Sequence, residues 1–103
     1  MPHPNEKNIE IQLSEETAHG IYANLAIINH TDAEFVLDFI YLQPNAPKGK
    51  VRSRVILTPE HLKRFVHALS ENIVKFEQKY GEITFRSQNI ASEYSIAEKK
   101  DQH

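Results

Sequence analysis

Ala33-Glu-Phe-Val-Leu-Asp-Phe-Ile-Tyr-Leu42 decides the fold. In an extended chain Phe35, Leu37, Phe39 and Tyr41 fall on one side, and Glu34, Val36, Asp38, Ile40 and Leu42 on the other. The run holds no glycine or proline and is rich in aromatic and β-branched residues, so it reads as a strand with one core-grade face. The stretch before it alternates in the same way. Ile21, Ala23, Leu25 and Ile27 oppose Tyr22, Asn24, Ala26, Ile28 and His30, and Asn29-His30-Thr31-Asp32 is a turn by composition. After it comes a loop, 43–50, with two prolines that cannot donate to a ladder. Then Val51, Ser53, Val55 and Leu57 alternate with Arg52, Arg54 and Ile56. Further out, Ile9, Ile11 and Leu13 alternate with Glu10 and Gln12, which predicts a short strand before the break at 14–19 and a turn at Gly20.

One helix follows. Thr58 suits the N-cap, Pro59 the first helical position and Glu60 the positive end of the dipole. Leu62, Val66, Leu69, Ile73, Phe76 and Tyr80 recur at helical spacing, Phe65 widens the stripe, and Gly81 sits where a C-terminal cap belongs. Residues 82–85 read as a short extended piece. The fold expected is α+β: an antiparallel β-meander of about four strands followed by one long C-terminal helix packed on the sheet. Residues 1–7 and 86–103 carry few apolar groups, so a disordered N-terminal arm and a flexible C-terminal tail are expected around a single domain at 8–85.

Composition narrows the function classes. The chain has 103 residues, enough for one domain. Its net charge of −2 supplies no global field for nucleic acid or anionic lipid. With no cysteine, disulfides, thiolate catalysis and cysteine-based metal sites are ruled out. Cysteine usage and the lack of a signal-like N-terminus fit a cytoplasmic protein, and no apolar run approaches a membrane span of about 20 residues.

Geometry then argues for a partner. Four strands at about 4.8 Å spacing make a sheet roughly 19 Å wide, against roughly 10–12 Å for one helix. One helix covers about half of one face, and the other face still carries Ile28, Val36, Ile40, Leu42 and Ile56 among its charges. A homodimer or higher symmetric oligomer is the simplest remedy.

Gly20-Ile-Tyr-Ala-Asn24, His30-Thr31, Glu34-Phe-Val-Leu-Asp-Phe39, Ser53-Arg-Val-Ile-Leu-Thr-Pro-Glu-His61, and Asn72-Ile73 through Tyr80-Gly-Glu-Ile83 together resemble a family of small bacterial proteins, domain of unknown function 3467. The resemblance spans about 12–83 and implies no activity. The order of meander then helix is also similar to SecB-type export chaperones, in architecture alone.

Glu34 with Asp38, and Arg52 with Arg54, share strand faces. Opposed across a ladder, they form either an anion or acid/base site or register-fixing ion pairs, and the pairing is preferred because a carboxylate held by arginine is a poor general acid. His30 beside Asp32 has no nucleophile framed for it. His61 and His67 are six apart on poorly matched helix faces, so no metal site is expected. Lys48, Lys50, Arg52 and Arg54 form the one basic concentration, a candidate nucleic-acid contact without interleaved aromatics. Asn72 interrupts the helix stripe, as an amide facing a partner or the sheet, or on the stripe edge in water. The expected function is a non-enzymatic, oligomeric protein-interaction module, a scaffold or adaptor subunit, with a holdase as a narrower form of the same class, and an unknown protein partner. Its contact face carries Glu34, Val36, Asp38, Ile40, Arg52, Arg54 and Ile56, and it needs no cofactor. The alternative is a nucleic-acid-associated protein working through the 48–54 hairpin, which the charge balance disfavours.

Overall fold

The computed structural model describes residues 8–45 and 47–85; the expected N-terminal arm and C-terminal tail lie outside them. Their elements run α1 (Glu15–Ala18), β1 (Leu25–His30), β2 (Phe35–Leu42), β3 (Gly49–Leu57) and α2 (Pro59–Tyr80). The strands form one antiparallel sheet in the order β1-β2-β3. The meander and the long helix are therefore present, but the sheet has three strands, not about four.

The missing strand is 9–13. Ile9, Ile11 and Leu13 alternate as expected, yet they remain largely exposed and pair with no other strand. Local chemistry leads this segment away from the sheet edge. The Ser14 hydroxyl accepts the Thr17 N–H at 3.2 Å and starts the single turn of α1. Gly20, at φ +77°, then redirects the backbone. Residues 82–85 likewise join no strand; there the Ile83 N–H donates to Glu77 Oε2 at 3.0 Å.

Register assigns the faces. Leu25, Ile27 and Asn29 of β1 lie opposite Ile40, Asp38 and Val36, while Ala26, Ile28 and His30 lie opposite Phe39, Leu37 and Phe35. β3 contains a bulge that alternation alone does not reveal. Phe39 pairs with Ser53 and Ile40 with Val51, which leaves Arg52 without an opposite residue. The extra residue reverses the parity of β3 below it. Val51 moves to the face of Asp38, Arg54 and Ile56, instead of sharing a face with Ser53, Val55 and Leu57.

The core sits on β2. Leu37 is 4% exposed, Ile40 6% and Leu42 7%. At Gly49, opposite Leu42, an added Cβ would stand 2.9 Å from Ile40 Cγ2, so the Ile40 side chain fills the space that glycine leaves.

Helix α2 keeps its predicted ends. Thr58 Oγ1 accepts the His61 N–H at 3.2 Å, Pro59 opens the first turn, and Gly81, at φ +102°, donates its N–H to Glu77 O at 2.9 Å. Its packing differs from the expectation of a helix laid on the sheet, for no α2 residue is buried. The connection supplies the reason. Only Thr58 separates β3 from α2, and the following proline holds that residue extended at φ −66°, ψ 157°. A helix that folds back over its sheet usually needs a link of about 2–6 residues. One residue launches α2 off the end of β3.

Candidate functional site

Across the middle of the sheet, Asp38 and Arg54 face each other in register. Arg54 Nε donates to Asp38 Oδ1 at 2.7 Å and Nη2 to Oδ2 at 2.8 Å, a bidentate pair. The aspartate side chain is 10% exposed and the arginine 60%. The hydrogen bonds from Arg54 hold the Asp38 carboxyl below its ordinary value, outweighing the desolvation that pushes the other way; the arginine charge adds to the lowering. An ionised, doubly bonded carboxylate has no proton to give, so this pair is a poor general acid, and its cross-strand geometry matches a register-fixing ion pair.

Around the pair, the proposed contact face divides. Val36 is half-buried, and Ile56 and Val51 are exposed on either side of Arg54. Ile40 and Asp38 are already enclosed by their own chain. Arg52 is the unpaired bulge residue, and Glu34 stands just outside β2, where it closes the turn: the Thr31 N–H donates to Glu34 O at 2.9 Å, and Thr31 Oγ1 accepts the Ala33 and Glu34 N–H groups. His30 places its ring 5.2 Å from that of Phe35.

Asn24 does more than its sequence context suggests. Its own N–H donates to Ile40 O at 3.0 Å, its Nδ2 donates to Leu42 O at 2.9 Å, and its Oδ1 accepts the Leu42 N–H at 2.8 Å. The side-chain amide thus acts as one more peptide group and extends the β1–β2 ladder past the end of β1. Tyr22, two residues earlier, sets its ring edge-on to Tyr41 at 6.1 Å.

The basic run does not act as one cluster. Arg54 is committed to Asp38, while Lys48 and Lys50 border a shallow depression with Tyr41, Gln43 and Gly49. Tyr41 pairs with Lys50 across the ladder, an aromatic neighbour that linear sequence does not display. Among the described residues, no group of His, Asp and Glu is placed to hold a metal ion. His67 lies 3.6 Å from Glu71 on the exposed side of α2. No helix of the described residues is long and apolar enough to cross a membrane.

A run of exposed apolar residues lies along α2, which sequence reasoning assigned to the core. Phe65, Val66, Leu69, Ile73, Phe76 and Tyr80 are each between 42% and 67% exposed. The signal was present in the spacing. Leu62, Val66, Leu69, Ile73, Phe76 and Tyr80 step by four and three alternately, the heptad seam of a helix that packs against another helix. Such a surface can dock a helix or a sheet face by burial alone, without catalytic chemistry.

No curated protein and no solved structure matches the chain. A family model described as a protein of unknown function (DUF3467) matches residues 1–85, more than the 12–83 over which the resemblance was legible, and the chain belongs to that family.

Proposed function

We propose that this chain is a non-enzymatic, self-associating protein-interaction module, a scaffold or adaptor subunit. One observation carries the reading: a 22-residue helix bears a continuous apolar stripe and has no buried residue. Fully burying a Val, Leu, Ile or Phe side chain contributes roughly 1.5–3 kcal/mol, so half-exposed stripe residues each leave on the order of 1 kcal/mol to be gained by covering them. Helices in proteins also draw most of their stability from packing of their apolar face rather than from propensity. Both facts favour a molecule completed by another chain. Ile56 and Val51 add a smaller apolar contribution beside the Asp38–Arg54 pair. The same exposed stripe is the basis for holdase character, since an unfolded client offers apolar segments to cover it.

The second reading is nucleic-acid contact. It is supported by Lys48 and Lys50 beside Tyr41, cations and an aromatic ring where β2 passes into β3.

Light scattering across a concentration series tests the first reading. It expects more than one chain per particle at micromolar concentration. A single-chain particle throughout, with full helix content by circular dichroism, would remove the reading's support. Binding of single-stranded nucleic acid with a steep salt dependence, lost in Lys50→Glu, would promote the second reading instead.

A further inference from the structure

We infer that the covering partner of α2 is α2 of a second copy, packed antiparallel about a two-fold axis beside Leu69 and Ile73. The inference rests on the self-association proposed above and deepens it.

Written as a heptad, Leu62, Leu69 and Phe76 occupy one seam position, and Val66, Ile73 and Tyr80 the other. An antiparallel pair related by two-fold symmetry joins one kind of position to the other. Leu62 then meets Tyr80 of the second copy, Val66 meets Phe76, and Leu69 meets Ile73, each twice. All six seam residues are used, and each outer layer sets an aliphatic side chain against an aromatic one.

The flanks select the direction. Lys63, Ser70 and Glu77 line one side of the seam, and Phe65, Asn72 and Lys79 the other. In the antiparallel arrangement each flank faces its own copy in reverse. Lys63 meets Glu77 of the second copy, and Glu77 meets Lys63, while Ser70 lies opposite Ser70 near the axis. On the other flank Asn72 faces Asn72, and Phe65 faces Lys79. A parallel pair matches Phe65 with Ser70 and Asn72 with Glu77, forms no ion pair, and stacks both aromatic layers at one end.

Local structure is compatible with this pairing. Asn72 donates to Ala68 O at 3.1 Å, which leaves its amide oxygen able to accept across the axis. Glu77 Oε2 accepts the Ile83 N–H, which anchors the carboxylate beside the seam, and a carboxylate accepts from more than one donor. Phe76 and Tyr80 already lie ring to ring at 5.0 Å, and Lys79 Nζ sits 5.3 Å from the Tyr80 centroid. The exposed apolar area of the stripe is on the order of 500 Å². The stems of Lys63, Glu77 and Lys79 extend it toward the roughly 800 Å² per partner of a standard interface.

The chain has no cysteine, so single-cysteine variants report contacts cleanly. Ser70→Cys should cross-link to itself through a short bis-maleimide in high yield. Lys63→Cys should cross-link to Glu77→Cys in a mixture and not to itself. Lys63→Glu or Glu77→Lys alone should weaken the dimer by roughly tenfold, and the double variant should restore it. Circular dichroism confirms that each variant folds, and light scattering is run in parallel. A dimer by mass in which Ser70→Cys does not cross-link, or in which the double variant fails to recover, overturns helix pairing and leaves self-association standing. Cross-linking of Lys63→Cys to itself overturns the antiparallel direction. A single-chain particle at every concentration overturns both.

Discussion

β2 and α2 carry similar side chains to opposite fates. On β2, Leu37, Ile40 and Leu42 are almost wholly enclosed. On α2, Leu69, Ile73 and Phe76 remain nearly half exposed. The difference lies in neighbours. β2 is the central strand and is flanked on both edges, so its side chains gain contacts from β1 and β3. α2 joins the sheet through one extended residue, touches β3 and buries none of its own residues there. Apolar periodicity therefore states which side of an element wants cover, and the connection length states whether the same chain can provide it.

Mutation should separate the two regions. Leu37→Ala should cost about 2–4 kcal/mol in urea unfolding, and the loss should be the same at every protein concentration, because the cavity forms inside one chain. Leu69→Ala should instead lower stability chiefly by raising the concentration needed for assembly, and less than that in a dilute sample. If Leu69→Ala proved as costly and as concentration-independent as Leu37→Ala, the contrast between strand and helix would fail.

Arg54→Ala comes next. It leaves the enclosed Asp38 without its bidentate partner, for an expected loss of about 1–3 kcal/mol. The pH dependence follows from the direction of the Asp38 shift. A carboxyl with a folded-state pKa below its unfolded value stabilises the fold above the unfolded value of about 3.9, and that contribution is lost as pH falls through the lower folded value. Stability of the native chain should thus drop in acid below about pH 4, and Arg54→Ala should flatten that part of the curve. An unchanged acid limb would assign the pair no part in stability. Smallest of the three, Asn24→Ala should cost about 1 kcal/mol by leaving the Leu42 peptide groups without their side-chain partner. Amide exchange at Leu42 should accelerate while that at Leu37 stays slow.

Much of this architecture was legible in the sequence. The three strands of the sheet announced themselves by alternation, and both ends of α2 by Thr58-Pro59 and Gly81, because local sterics and capping decide those features. The 9–13 segment alternates equally well but forms no strand, since pairing depends on whether the chain returns to an edge. The bulge at Arg52 was hidden because it is a property of two strands in register, and it moved Val51 to the other face. The Asp38–Arg54 opposition was expected and is present. Ile40, chosen as a contact residue, is enclosed by its own chain; Ile40→Glu would disrupt the fold before it reported on assembly. The stripe on α2 was read correctly as apolar, but the sheet buries none of its residues, and the one-residue link that keeps the helix from folding back carries no apolar signal of its own.

The central claim is that α2 is incomplete until another chain covers it. The most direct measurement follows urea unfolding by circular dichroism over a hundredfold range of protein concentration. Covering by a second copy predicts a midpoint that rises steadily with concentration, with helix and sheet signals lost together. A midpoint that stays fixed across the whole range would show that the single chain is stable on its own and would contradict the account.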